Sequence, residues 1–258
     1  MRNLINVPII EYNMPRIILT NPRSICNKMD ELSVLVKEHQ PDIVCITESW
    51  CREDIPDEAL NTAGYVNFRK DRTEKPGGGI LCMIRNNIMV KHWNELEVPN
   101  IESLWLTIFP KHMPRKFSGI LLGIIYHPPL ANDKELYNHM CTSIDKILQK
   151  HPNIGIMVVG DFNHFNEHYF RSTYRLKQIV AKPTHDKGRI LDKVFTTMAD
   201  LFEEPQILPP LGLSDHFVVH ITPSALTSKI KGKIEKVLVR SSDPNGKAFF
   251  VQALKDTN

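Results

Sequence analysis

The sequence has no paired cysteines: its five, Cys26, Cys45, Cys51, Cys82 and Cys141, are an odd number without a C-x-x-C spacing. That argues against a disulfide framework and a cysteine-built zinc knuckle, and it fits a reducing compartment, so nucleus or cytoplasm is expected. Charge of one sign is also scarce. Thirty-two Lys and Arg against 29 Asp and Glu leave a net charge of +3, too little for the dense basic face that would by itself indicate nucleic-acid binding. Long apolar runs are missing as well. The N-terminal Met1–Asn6 lacks the apolar stretch of a signal peptide, and the run Ile120–Tyr126 is too short to span a bilayer, so neither secretion nor membrane insertion is expected. No internal repeat or low-complexity tract is present.

What is there suits a globular enzyme. With 42% hydrophobic and 24% charged residues the 258-residue chain can bury a substantial core, and one large domain is expected over residues 16–223. Residues 1–15 read as a lead-in. After Pro223 the texture changes: Lys229, Lys231, Lys233, Lys236 and Arg240 precede a turn-rich Ser-Ser-Asp-Pro-Asn-Gly run, so 224–258 is expected to be a basic linker or tail.

Within the domain, apolar segments bounded by turn residues predict strands at 16–19, 42–47, 79–85, 103–109, 119–126, 156–159, 194–196 and 217–221. Leu104, Leu106 and Ile108 alternate onto one face, whereas Ile156–Val159 is continuously apolar and should be covered on both faces. Helical spacing is found at Met29, Leu32, Leu35 and Val36, after a candidate Asn27 cap, and at Leu136, Met140, Ile144, Ile147 and Leu148, after Asp133. Pro41 and Pro152 separate each helix from the strand that follows. Strands dominate and helices pack outside.

Polar residues with chemical potential sit where these strands end. Gly160-Asp161-Phe162-Asn163 follows the buried strand, so Asp161 and Asn163 project into the crevice where α/β proteins place ligands; an Asp/Asn turn would read the same way. Ser214-Asp215-His216 precedes an apolar run and offers a metal ligand beside an imidazole, or merely a strand start. Glu48 closes another buried strand, where a carboxylate must be paired or hold a hard cation such as Mg²⁺. Asn21 could add a neutral oxygen, although Asn-Pro also begins turns. Asp192 could orient His216 or be a surface acid, and the Tyr126 hydroxyl could reach a phosphate or belong to a core-edge tyrosine. Gly77-Gly78-Gly79 lacks the Lys-Ser/Thr of a phosphate-binding loop and reads as a flexible lead into a strand.

Taken in order, Asn21, Glu48, Tyr126, Gly-Asp161-Phe-Asn163, Leu-Asp192 and Ser-Asp215-His216 resemble the endonuclease/exonuclease/phosphatase superfamily. The wording is most similar to the endonuclease domains of non-LTR retrotransposons: Asn21-Pro-Arg-Ser-Ile-Cys-Asn-Lys28, Thr47-Glu-Ser-Trp50, Asp71-Arg-Thr73, Tyr126-His-Pro-Pro129, Pro183-Thr184 and Leu191-Asp-Lys-Val-Phe-Thr196. The resemblance spans about residues 16–221 and departs at Lys193 and Cys51, where apolar residues are common.

The resemblance implies a DNase I-like four-layer α/β sandwich, two packed mixed β-sheets flanked by helices, and a metal-dependent phosphodiesterase that nicks target DNA. It implies Mg²⁺, with Mn²⁺ as a substitute, held by Glu48 with Asn21 and Asp215. Asp161 would orient or deprotonate the attacking water, Asn163 would position it, His216 held by Asp192 would bond a phosphate oxygen, and Tyr126 would assist the leaving group. DNA is the implied partner, and a complete element would add a reverse transcriptase domain that this chain does not include. Arg69, Lys70, Arg72 and Arg85 are candidate phosphate contacts shared with any solvated surface. Two other readings remain at this stage: a phosphatase of the same fold acting on a phosphoinositide or nucleotide, and a catalytically silent copy.

Overall fold

Strands that are apolar on both faces need cover on both, and two stacked sheets with outer helices supply it. The computed structural model describes residues 14–73 and 76–224, all of them within the compact unit Ile10–Ile230. The expected tail, apart from Ser224, and the lead-in up to residue 13 lie outside the described residues.

The first sheet contains β1 (Ile17–Thr20), β2 (Ile43–Thr47), β3 (Tyr65–Lys70), β4 (Ile80–Arg85), β11 (Gln206–Leu208) and β12 (Val218–Ile221), in the order β11-β12-β1-β2-β4-β3. The second contains β5 (Met89–His92), β6 (Glu102–Phe109), β7 (Ile120–Tyr126), β8 (Gly155–Asp161), β9 (Lys177–Gln178) and β10 (Asp192–Thr196), in the order β5-β6-β7-β8-β10-β9. Both are mixed, because β1 runs parallel to β2 and β7 parallel to β8 while the other pairings are antiparallel.

Side-chain alternation sorts the core into layers. Leu104, Leu106 and Ile108 turn inward against the other sheet's Ile17, Leu19, Ile43 and Cys45. Trp105, between them, faces outward onto Leu136, Met140, Ile144 and Ile147 of α2 (Asp133–Lys150). Ile18, Val44 and Ile46 face outward onto Leu32 and Val36 of α1 (Met29–His39). The result is the expected four-layer sandwich. Each such side chain taken out of water contributes about 1.5–3 kcal/mol before chain entropy is counted.

Some local expectations are corrected. Helix α1 begins one residue after Asn27's expected position as cap: its cap residue is Lys28, which makes no side-chain cap bond and instead points its ammonium at the carbonyls of Pro22 and Arg23. Helix α2 is capped by Asn132, whose Oδ1 accepts from Lys134 N at 2.9 Å and Glu135 N at 3.3 Å. Asp133 is thereby free to hold His127 Nε2 at 2.8 Å. Strands β3 and β5 escaped the apolar criterion because they are sheet edges with half-exposed residues throughout. Helix α3 (His168–Tyr174) escaped it because Phe170 is its single buried residue.

Candidate active site

The parallel pairs decide where the polar residues meet. In each pair, β1 with β2 and β7 with β8, the C-terminal ends lie side by side, and these ends carry Asn21, Glu48, Tyr126 and Asp161. The antiparallel neighbours reach the same edge with their beginnings: Asp192 stands directly opposite Asp161, and His216 lies just before β12. The edge opens into a cleft of about 340 Å³ lined by Glu48, Tyr126, Asp161, Asn163 and His216, together with Arg23, Trp50, Pro129, His185 and Leu191.

Asn21 joins the two sheets. It is fully buried, and its Nδ2 donates to Glu48 Oε1 at 3.1 Å and to Asp161 Oδ2 at 3.0 Å, 140 residues away. Its Oδ1 accepts from Arg23 N at 3.1 Å, and its carbonyl accepts from Ser214 Oγ at 2.6 Å. Ser214 is therefore a structural clamp, and the same hydroxyl accepts from His216 N at 3.2 Å. The outer Glu48 oxygen accepts from Trp50 Nε1 at 3.2 Å. Glu48, Trp50 and Asn163 all hold left-handed backbone angles, with φ of 48°, 54° and 46°; such costly conformations persist where surrounding structure enforces them.

Asp161 is 1% exposed, and burial, followed by the charge of Asp192, pushes its carboxyl up to about 7 against the opposing pull of His216, Asn163 and Asn21. His216 Nδ1 lies 2.8 Å from Asp192 Oδ2, and its Nε2 lies 3.9 Å from Asp161 Oδ2. Burial opposes charge on the ring, but the hydrogen bond and charge of Asp192, with Asp161 and Asp215, outweigh it and raise the imidazole to about 9. His216 is thus cationic at neutral pH. Asp192 is held in turn by Thr184, whose hydroxyl accepts from Leu191 N and Asp192 N at 3.0 Å each.

Tyr126 stays a phenol, because burial and then Glu48, Asp161 and Glu102 hold it above its ordinary value. Asn163 donates its N–H to Asp161 Oδ1 at 3.1 Å and its amide to His127 O at 2.8 Å. Gly79, beside the cleft, has φ of 81° and leaves room for Ser49 Oγ, 2.8 Å from where a Cβ would stand; its N–H bonds Glu102. The triple glycine is a pinned lead into β4.

Seven of the eight residues singled out from sequence line the cleft or bond one that does. The eighth, Asp215, also adjoins it but through partners the sequence did not flag: Oδ1 lies 3.2 Å from Arg23 Nε and Oδ2 lies 3.2 Å from His185 Nε2. The Arg23 contact is an ion pair without hydrogen-bond alignment. Arg23, Trp50 and His185 had no signal of their own beyond the surrounding motifs. The suggested phosphate contacts each hold an ion pair, Arg69 with Asp57 and Asp71, Lys70 with Glu97, Arg72 with Glu102 and Arg85 with Asp42, and the Arg72 guanidinium lies over the Tyr126 ring, 5.6 Å from its centroid. The two departures are accommodated, Lys193 by an ion pair with Glu167 at 2.8 Å and Cys51 by burial.

Among the described residues, two groups are close enough to hold a metal ion, His185-Asp215-His216 and Asp161-Asp192-His216. No helix of the described residues is long and apolar enough to cross a membrane.

The architecture recurs in solved structures. The endonuclease domain of TRAS1, a telomere-specific non-LTR retrotransposon, superposes with a TM-score of 0.64 at 16% identity, over 81% of this chain and 98% of that one. The 3′ phosphatase NExo from Neisseria, bound to a product DNA hairpin, gives 0.59 at 14%, over 82% and 100%. D. rerio TDP2 with a single-strand DNA product gives 0.58 at 13%, over 81% and 98%. No curated protein sequence matches the chain. The profile of the Endonuclease/Exonuclease/phosphatase family matches residues 12–216, and the chain belongs to this family of phosphoester hydrolases.

Proposed function

We propose that the chain is a Mg²⁺-dependent DNA endonuclease of the kind carried by non-LTR retrotransposons, hydrolysing the backbone to leave a 3′-hydroxyl and a 5′-phosphate. The observation that carries it is the Asn21 amide holding Glu48 and Asp161 together, with the His216–Asp192 pair facing the same cleft. The donor set fits a hard ion. Glu48 offers a carboxylate; the Asn21 amide, whose Nδ2 faces Glu48 and Asp161 while its Oδ1 accepts from Arg23 N, would turn over to present oxygen, and the buried negative charge of Asp161 and Asp192 favours a cation nearby. Glu48 and Asn21 would hold the ion; Asp215, expected beside them, is engaged by Arg23 and His185 and in this reading steadies the cleft wall. When bound, Mg²⁺ polarises the scissile phosphate.

The protein's own groups supply the rest. Asp161, with a carboxyl raised toward neutrality, accepts a proton from the attacking water, and Asn163 fixes that water's position. His216, cationic and aligned by Asp192, donates to a non-bridging phosphate oxygen. The Tyr126 hydroxyl donates toward the charge that builds on the leaving oxygen. DNA affinity rests on phosphate contacts and should fall as salt rises.

The test is nicking of supercoiled plasmid by the purified chain in Mg²⁺, beside EDTA and the variants Glu48→Gln, Asp161→Ala and His216→Ala. Nicking that EDTA and all three substitutions abolish supports the reading. Release of phosphate from a 3′-phosphorylated oligonucleotide without nicking would move the assignment to a phosphatase of the same fold, and no activity from folded protein would leave a silent copy.

A further inference from the structure

The cleft that holds Glu48 is also lined by part of a second donor set of different chemistry. A ring nitrogen from each of His185 and His216 and a carboxylate oxygen of Asp215 lie within 4.8 Å of one another. Both imidazoles are 7% exposed or less, and each has its Nδ1 beside a carboxylate at 2.8 Å, His216 on Asp192 and His185 on Asp186. At His216 that contact is a hydrogen bond, the arrangement that orients the other ring nitrogen toward a metal, whereas His185 Nδ1 accepts from Lys187 N at 3.1 Å and is fixed in place by the backbone. The rings meet edge to face with centroids 4.8 Å apart. His216 Nε2 makes no hydrogen bond and has a carboxylate oxygen only at 3.9 Å. Arg23 takes Asp215 Oδ1, leaving Oδ2, 3.2 Å from His185 Nε2, as a single-oxygen ligand.

Backbone pairing makes the set rigid. His185 and His216 form an antiparallel bridge, Asp186 N donates to Asp215 O at 2.9 Å and Phe217 N donates to Thr184 O at 2.8 Å. A single substitution would remove one ligand without dissolving the hairpin.

We propose that His185, Asp215 and His216 form a binding site for a borderline transition-metal ion of the Zn²⁺ or Co²⁺ type, distinct from the Mg²⁺ position at Glu48 and Asn21. Two imidazole nitrogens and one carboxylate, with a further position open to the cleft, suit Zn²⁺ and discriminate against Mg²⁺, which demands oxygen. Because His216 serves both sites, an ion held here displaces the Nε2 proton to solvent, withdraws the imidazole from the substrate phosphate and inhibits hydrolysis. The site goes beyond the endonuclease reading and stands even if plasmid is not nicked.

The experiment is titration of the metal-free 258-residue chain with Co²⁺, followed by visible absorption and equilibrium dialysis. One equivalent should bind with the bands of a four- or five-coordinate nitrogen-ligated ion, be displaced by Zn²⁺ and resist excess Mg²⁺. The bands should be lost in His185→Ala and Asp215→Asn, and retained in Glu48→Gln, whose defect is confined to Mg²⁺-supported nicking. His185→Gln, which keeps a polar group in the hairpin, should lose them too and covers the case in which His185→Ala does not fold. Asp192→Asn, which removes the carboxylate hydrogen-bonded to His216, should weaken binding by about 10–100-fold. Absence of a bound equivalent, bands indifferent to His185, bands lost in Glu48→Gln, or a thiolate charge-transfer band removed by Cys26→Ser would each overturn the proposal.

Discussion

Gly160 immediately precedes Asp161 on β8, and its replacement by alanine tests how tightly the fold holds the proposed base. Its φ is 149°, and a Cβ there would lie 1.8 Å from the Ile125 carbonyl oxygen of β7, against 3.4–4 Å for ordinary contact. The obstacle is backbone within a paired strand, so neither partner can swing aside as a flexible side chain would. Overpacking of this kind costs about 1–3 kcal/mol, and the strained φ adds about 1–3 kcal/mol. The sum, about 2–6 kcal/mol, is a large part of the roughly 5–15 kcal/mol that holds a typical domain folded. With a urea slope of about 2 kcal/mol per molar, the unfolding midpoint should fall by about 1–3 M. Gly64→Ala is the control, because Gly64 has φ of 85° with nothing within 4 Å of its Cβ position, and it should cost about 1–2 kcal/mol. A relaxed Gly160→Ala chain also displaces Asp161, and a shift near 1 Å should lower nicking by about 100-fold. Urea unfolding of both variants, followed by tryptophan fluorescence, decides the matter. Equal midpoints for Gly160→Ala and Gly64→Ala would refute the reasoning.

Three further outcomes are expected. Phe195→Ala, which empties the space between the rings of Phe162 and Phe170, 4.9 and 5.7 Å away, should destabilise by about 3–5 kcal/mol in the same urea assay; a loss below about 1 kcal/mol would mean that the cluster repacks. Asp192→Asn should lower turnover by about 10–100-fold with little change in KM, because His216 loses the partner that aligns it; turnover within twofold of the parent would remove Asp192 from the proposed mechanism. His220, buried with neither ring nitrogen hydrogen-bonded, is held below its ordinary value by burial, then by His39 and Arg16. Its neutral form therefore favours the fold fully above the unfolded value near 6.5, and that contribution is lost as pH falls from there toward the lowered folded value. Melting between pH 7.5 and 5.5 should thus be less acid-sensitive in His220→Phe than in the parent, and parallel curves would exclude His220 as a source.

Sequence alone determined the layers and the identity of the polar residues at the strand ends. The continuous apolar run at Ile156–Val159 demanded cover on both faces, and the alternation of Leu104, Leu106 and Ile108 named the inward side. Local pattern sufficed for these because burial acts on each strand separately. Edge strands β3 and β5 carry no such demand, so their half-exposed residues were silent. Choices between competing local partners were equally hidden: Asn132 rather than Asp133 caps α2, since Asp133 has a long-range claim on Asn166 as well as on His127.

The cleft belongs to tertiary structure. Glu48, Asp161 and Asp192 were each legible as acids at strand ends, but only strand order and register put Asp192 opposite Asp161 and placed Asn21 between carboxylates of different sheets. The same pairing set Arg69, Lys70, Arg72 and Arg85 in ion pairs and brought Arg23, paired with Asp215, to the cleft. His185 acquired meaning only when its hairpin paired with residues 215–217. Periodicity reports what a residue must hide from water, whereas hydrogen bonds and charges act between groups far apart in the chain, and the packed sheets alone decide which of them meet.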